Sequence, residues 1–235
     1  MATPRNPNEV WQERLAVPFD HASLTAGLGV KFFAATRLAR VKNVKYINPT
    51  GLAADNTNNF TVDLRRCGAA DALVFADATF TTTHGTETVN LTAHGLQTGD
   101  GPFRLTNAGG ALPAGYATGT DYYAIRTGAD SLQLAASRAL AFAGTAVAIT
   151  GDGTGTHTIS DTATTRRPVI VASGVNTDGD NGGAALAADA FVALTLSATD
   201  ANLVLAADDE LVFVAAEGGT ATLPAGRMVV ELLYL

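Results

Sequence analysis

Apolar and polar residues alternate in short runs along most of this chain, and glycine, proline, asparagine or aspartate separates the runs. The clearest alternation places Phe60, Val62 and Leu64 on one face of a strand, and we expect that face to be buried. None of the runs shows the period of a helix. The pattern predicts an all-β protein, built as an antiparallel β-sandwich or jelly roll.

The strand runs in the middle of the chain form a set of their own, between two stretches rich in alanine, threonine and aspartate. We interpret these stretches as the two crossings of an inserted domain. The sequence predicts an N-terminal arm at 1–30, a discontinuous β-sandwich base at 31–70 plus 163–235, and a small inserted β-sandwich, the middle module, at 71–162. Module strands are expected near 88–94, 101–106, 121–127, 131–136, 145–150 and 155–160, and later base strands at 167–172, 191–196, 210–215 and 227–235.

The middle module carries a recurring pattern of glycine, histidine and aspartate. It contains Ala93-His94-Gly95-Leu96 followed by Gly99-Asp100, then Leu112-Pro113-Ala114-Gly115, Asp121-Tyr122-Tyr123-Ala124-Ile125, and Gly153-Thr154-Gly155-Thr156-His157-Thr158. This pattern resembles small immunoglobulin-like β-sandwich modules of tailed-bacteriophage virion proteins. The resemblance covers about 80–160 and implies a structural or binding role.

The predicted base carries a second, looser resemblance. The segments that carry it are Val44-Lys45-Tyr46-Ile47-Asn48-Pro49, Phe60-Thr61-Val62-Asp63-Leu64, 205–211 and Leu223-Pro224-Ala225-Gly226-Arg227. They resemble capsid decoration (cement) proteins of tailed phages, whose β-sandwich base sits on the shell. The resemblance implies a homo-oligomer, with a trimer favoured, that binds the major capsid protein and belongs to the virion surface.

Other functions remain open beside capsid decoration. A tail or baseplate component would use similar β-modules, and the middle module would serve as a host-surface or glycan binder in a third account. An enzyme ranks lowest, because the chain has no G-x-S-x-G, phosphate-loop or H-E-x-x-H motif. The single cysteine, Cys67, is best explained as a small buried residue. We therefore expect no enzymatic activity and no cofactor.

The charge is uneven along the chain, whose formal net charge is −7. Residues 1–70 are basic, whereas the two later thirds are acidic. A basic start suggests contact with an acidic surface, its own body or a partner, although scattered solvated charge is the simpler explanation. The acidic bulk argues against nucleic acid as a partner. The N-terminus is polar and the chain has no long apolar run, so we expect neither a signal peptide nor a membrane span. We therefore expect synthesis in a host cytoplasm.

A few polar residues are candidate metal ligands. Asp178, Asp180 and Asn181 lie in a glycine-rich segment that resembles a calcium loop, but these residue types are equally typical of a β-turn. The four histidines lack paired ligand spacing and are better explained as turn residues. Tyr122 and Tyr123 are neighbours in a predicted strand, so one is expected to be buried and the other exposed.

The first forty residues are predicted to form a partner-binding arm. Proline and asparagine disfavour regular structure there, and the only tryptophan, Trp11, is an obvious anchor. The alternative is that the segment covers an edge of its own sandwich. The residues expected to contact the partner are the apolar anchors Trp11, Phe19, Phe32 and Phe33 and the charged Arg5, Arg14 and Lys31.

Overall fold

The structure is a computed structural model that describes residues 12–18, 28–47, 50–217 and 226–235. As predicted, the protein is nearly all β, and its sheets are antiparallel. The single α-helix of the described residues is α1 (Arg138–Phe142). The strands are β1 (Gln12–Pro18), β2 (Leu28–Ala34), β3 (Ala39–Ile47), β4 (Phe60–Cys67), β5 (Ala78–Thr83), β6 (Thr88–Asn90), β7 (Gly101–Ala108), β8 (Tyr123–Arg126), β9 (Ser131–Ala135), β10 (Thr156–Arg166), β11 (Val169–Asn176), β12 (Phe191–Ala193), β13 (Thr195–Leu196), β14 (Val204–Leu205), β15 (Glu210–Glu217) and β16 (Arg227–Tyr234).

Two sheets pack face to face to form the base. The first has the order β1-β16-β3-β12, with β14 also paired to β3, and the second has the order β13-β11-β4-β15-β2. Their shared core contains Phe60, Val62 and Leu64, which confirms the burial expected from the alternation in β4. Tyr46 and Phe213 stack across the core with their ring centroids 6.5 Å apart. Val44 and Tyr46, which share one face of β3, are also fully buried.

One side of the base is closed by a strand that changes sheets. The run at 191–196 was predicted as one strand, but β12 pairs with β3 in the first sheet and β13 pairs with β11 in the second. Leu194 lies between them, and its N–H donates to the Val44 carbonyl at 2.9 Å. On the opposite side, β1 and β2 are the two edge strands, one in each sheet.

The middle module consists of one six-stranded sheet in the order β7-β10-β5-β6-β9-β8. The sheet curls until its ends meet, because Phe103 in β7 exchanges two backbone hydrogen bonds with Tyr122, the residue before β8, at 2.8 and 2.9 Å. The buried residues inside it form a cluster separate from that of the base. Within the described ranges, these six strands form ladders only with one another. That the module is a domain inserted into the base stays a prediction.

Three details of the middle module differ from the sequence prediction. The run at 145–150 is not a strand, because its backbone bonds to isolated groups, such as the Leu134 carbonyl that accepts from Val147, rather than to a ladder. The threonine-rich strand β5 was not predicted. Nor was α1, which begins where the Ser137 hydroxyl accepts from the N–H of Leu140 at 3.2 Å.

Candidate functional site: the basic face of the base

Each of the two crossings between base and middle module carries an arginine–aspartate pair. Arg66, at the end of β4, donates from Nε to the Asp71 carboxylate at 3.0 Å, and both side chains are buried. Arg167, just after β10, lies 2.6 Å from Asp100, whose carboxylate is fully buried. Removing one member of such a pair leaves the other charge desolvated and uncompensated, so both pairs hold the crossings in place.

An apolar contact fixes the middle module on the base between these crossings. Phe142 of α1 packs against Val212 and Val214, and all three side chains are buried. These valines alternate in β15 with Leu211 and Phe213, which belong to the core, so they point out of the second sheet. The middle module therefore rests on the outer face of the second sheet.

Gly99 and Asp100, from the first motif of the middle module, serve this contact. A Cβ on Gly99 would lie 2.4 Å from the Phe142 ring, so only glycine leaves room for the aromatic side chain. The Asp100 carboxylate accepts a hydrogen bond from Arg167 at the crossing. His94 is buried, and its Nδ1 accepts from the Leu96 N–H at 3.0 Å, which shapes the turn before the glycine. This motif has a structural role.

The later parts of the motif pack against each other at one end of the middle module. Ala114 and Gly151 form an isolated β-bridge, with the Ala114 N–H 2.9 Å from the Gly151 carbonyl. A Cβ on Gly115 would lie 2.1 Å from the Ala148 carbonyl oxygen, and one on Gly153 would lie 2.5 Å from that of Ala111. The glycine spacing in the motif is thus set by close backbone packing.

The outer face of the first sheet lies on the other side of the base from the middle module, and it is basic. On β3 and β16 the outward charged side chains are cationic except for Glu231. The cations are Arg40, Lys42, Lys45 and Arg227. We call the surface formed by Lys42, Lys45, Arg227 and Phe191 the basic face.

The basic face also contains an exposed aromatic ring. Phe191 of β12 is opposite Ile47 in the ladder and is 60 % exposed. The Lys45 ammonium lies 5.8 Å from the centroid of its ring. Arg40 is paired with Asp200, which bonds to it with both carboxylate oxygens and whose own pKa is lowered mainly by that hydrogen bonding. Lys42, Lys45 and Arg227 have no ion pair with a described residue, although the charge of Lys42 helps to lower the pKa of Asp200. Their charges are therefore largely available to a partner.

The expectation of an irregular arm is wrong for the parts of it that the structure describes. Residues 12–18 form β1, which pairs along its whole length with β16 and places Arg14 opposite Glu231. Lys31 and Phe33 in β2 are opposite Val212 and Leu211, and Phe32 lies at the irregularity between these pairs. Pro18 ends β1, where a missing N–H is tolerated. Arg5, Trp11 and Phe19 lie outside the described residues.

This pairing agrees with the alternative in which the N-terminal strands cover the edges of their own sandwich. Partner binding by the segment stays a prediction.

The calcium candidates make internal hydrogen bonds. Asp178 accepts from the N–H of Asp180 at 3.1 Å and caps the 3₁₀ turn Gly179–Asn181. The Asp180 carboxylate accepts from the side chain of Asn56 at 2.6 Å, which joins two polar loops that are distant in sequence. Among the described residues, no three histidine, cysteine, aspartate or glutamate side chains form a group that could hold a metal ion.

Two histidines of the middle module contact the same residue, Asp152. His84 pairs with Asp152 at 2.7 Å on the surface, and this hydrogen bond lowers the pKa of Asp152. His157 is buried, with Nε2 3.1 Å from the Asp152 carbonyl oxygen. Cys67 is buried as expected, and burial raises the pKa of its thiol, which keeps it in the unreactive form.

The tyrosine pair is divided only in part as predicted, because Tyr122 is buried but Tyr123 is half-buried instead of exposed. Tyr122 lies in the core of the middle module, and its hydroxyl accepts from the N–H of Ala117 at 2.8 Å. Tyr123 is half-buried, and the Arg138 guanidinium lies 5.1 Å from the centroid of its ring. A surface tyrosine platform for a sugar is therefore not formed by this pair.

Comparison with known proteins returns no match, whether against protein families, curated proteins or solved structures. In the parts of the chain that the structure describes, no helix is long and apolar enough to cross a membrane.

The sequence pattern did not reveal the basic face. Its lysines and Arg227 come from strands at opposite ends of the chain, and they become neighbours only because β16 pairs with β3. The alternation in both strands was the one available signal, since it already placed Lys45 on the face opposite Val44 and Tyr46.

Proposed function

We propose that this protein is a non-enzymatic structural protein of a tailed-phage virion, a capsid decoration protein that binds the outside of the head and stabilises it. In this proposal the base contacts the major capsid protein, and the middle module points away from the shell. The protein acts as a homo-oligomer, with a trimer favoured by the family resemblance.

The observation that carries the proposal is the position of the basic face. The middle module covers the outer face of one base sheet through Phe142, and the cations occupy the outer face of the other sheet. A protein with a net charge of −7 thus presents an unpaired positive surface on the side away from its second lobe. Such a surface suits an acidic partner, and the charge attracts that partner before contact.

The binding mechanism is interfacial. Lys42, Lys45 and Arg227 steer the base towards an acidic patch, and exposed Phe191 supplies apolar area to bury. Buried apolar area contributes about 25 cal/mol per Å², from which the costs of association are subtracted. The Phe142 contact and the Arg167–Asp100 pair attach the middle module to the base, so the module would keep its orientation when the base binds a partner.

The test uses heads of the source phage prepared without this protein. Binding of the purified full chain is measured by co-sedimentation, and the position of the bound density by electron microscopy. The double variant Lys45→Glu/Arg227→Glu should weaken binding by at least tenfold, since it reverses two charges on the basic face. Binding of the unchanged protein should also weaken as salt is raised.

A matched control is Arg104→Glu/Arg126→Glu, which makes the same change in net charge on exposed positions of the middle module. It should bind heads like the unchanged protein. Equal loss in both variants would contradict the role of the basic face. Density on the tail instead of the head would replace decoration with the tail or baseplate function.

A further inference from the structure

A trough runs along the outside of the middle module above β5. Residues 78–80 of β5 pair with β10, whereas residues 81–83 pair with β6. The two neighbours therefore diverge around it and form the walls of a cleft of about 770 Å³. Clefts of a few hundred to about 1,000 Å³ are the size that small-molecule ligands occupy.

The exposed side chains that line this trough are uncharged apart from one carboxylate, and the lining also includes the buried Phe80, Leu91 and His157. Thr79 and Thr81 form the floor, and Asn90, Thr92, Asp130 and Thr156 form the walls. No lysine or arginine of the described residues lines it, so an anionic ligand would meet only the charge of Asp130 among them.

The four threonine hydroxyls differ from those of the adjacent hairpin. Thr82 bonds to Asp152 and Thr83 to Asn90, and Thr86 bonds to Thr88. In the described residues no hydrogen bond involves the side-chain hydroxyls of Thr79, Thr81, Thr92 or Thr156. Each of these hydroxyls can both donate and accept a hydrogen bond.

The side chains of Asp130 and Asn90 are each held by one hydrogen bond, and each keeps a further oxygen that can accept. Asp130 accepts from the N–H of Ala93 with Oδ1 at 2.6 Å, and Oδ2 makes no bond with a described residue. Asn90 donates from Nδ2 to Thr83 at 3.2 Å, and its carbonyl oxygen is left to accept. Hydroxyls, one amide and one carboxylate together present mixed donors and acceptors over one concave surface.

We propose that this trough binds neutral saccharides. A sugar presents a row of hydroxyls that each donate and accept, which matches the unpaired threonines, and its lack of charge suits a site that has a carboxylate and no cation. The inference does not depend on the basic face, because the trough lies on the middle module and the basic face on the base.

The experiment titrates the ¹⁵N-labelled full chain with glucose and with N-acetylglucosamine, and follows amide shifts. Both neutral sugars should shift the amides of 79–81, 90–92 and 155–157 with an affinity on the order of 1 mM. N-acetylneuraminic acid, which is anionic, should shift them at least tenfold more weakly. Absence of shifts at these amides with both neutral sugars, or equal binding of the anionic sugar, would overturn the proposal.

The site is located by Thr79→Val/Thr156→Val, which removes two hydroxyls while keeping the side-chain shape and strand preference. Affinity should fall roughly tenfold, as expected for two lost hydrogen bonds. The matched control Thr118→Val/Thr120→Val changes two exposed threonines that do not line the trough and should bind normally. Equal affinity of the two double variants would also overturn the proposal. Unchanged amide spectra away from the substitutions verify that both variants are folded.

Discussion

The ring of Phe142 lies directly against Gly99. A Cβ added to this glycine would lie 2.4 Å from Cζ of the ring and 2.9 Å from Cε1 and Cε2. Gly99 also has φ +92°, a backbone conformation that disfavours other residues. Glycine is therefore required at this position for two reasons: it adopts the positive φ, and it leaves room for the Phe142 ring that holds the middle module on the base. This relation explains why a glycine precedes Asp100 in the middle module.

Gly99→Ala should destabilise the protein by about 2–4 kcal/mol, the sum of backbone strain and overpacking against Phe142. Thermal or urea unfolding measures the change. Gly119→Ala is the matched control, since Gly119 has φ +75° and no atom within 4 Å of an added Cβ. It should show only the strain, about 1–2 kcal/mol. Equal effects of the two substitutions would mean that Phe142 does not pack against Gly99.

Phe142→Ala should loosen the middle module from the base. The substitution uncovers Val212 and Val214, and we expect a loss of about 2–4 kcal/mol, less than for a central core phenylalanine because the contact is small. Small-angle scattering should show a broader distribution of lobe positions. Leu140→Ala on the same helix is the control, as Leu140 is 39 % exposed and should cost less than about 1 kcal/mol. An unchanged scattering profile for Phe142→Ala would show that the crossings alone fix the module.

Arg167→Ala should cost about 3–5 kcal/mol, because it leaves the fully buried Asp100 carboxylate without its cation. Unfolding in urea at neutral pH measures this loss. Arg104→Ala provides the comparison, since Arg104 pairs with Asp121 at 2.9 Å on the surface and should cost about 0–1 kcal/mol. A loss of less than 1 kcal/mol for Arg167→Ala would indicate that water replaces the guanidinium at the crossing.

The fold was predictable from sequence wherever a strand buries one face along its length. Phe60, Val62 and Leu64 in β4 are the plainest case, because a local alternation decides which side meets the core. The pattern does not reveal which sheet a strand joins. For that reason the run at 191–196 was predicted as one strand, although it changes sheets at Leu194.

The candidate surfaces were less predictable, because they depend on pairing between distant segments. Arg227 and Lys45 share a face only because β16 pairs with β3. In the sequence, each is indistinguishable from an ordinary solvated charge. No strand was predicted over β5, where Thr79 and Thr81 flank only one large apolar residue, Phe80. Their β-branched side chains favour a strand, but this signal is weak without a clear apolar face.

His84→Ala should raise the pKa of Asp152 towards its ordinary value. In the folded protein, hydrogen bonds from the His84 side chain and backbone and from Thr82 lower this pKa, and the His84 side chain contributes most. A carboxyl group whose pKa is lower in the folded state contributes stability that is present above its unfolded pKa, about 3.9, and lost as pH falls through the folded pKa. The variant should therefore lose less stability than the unchanged protein over that acidic window. Carbon-detected NMR titration of the Asp152 carboxyl group in both proteins measures the shift, and an identical pKa would show that the surface pair does not form in solution.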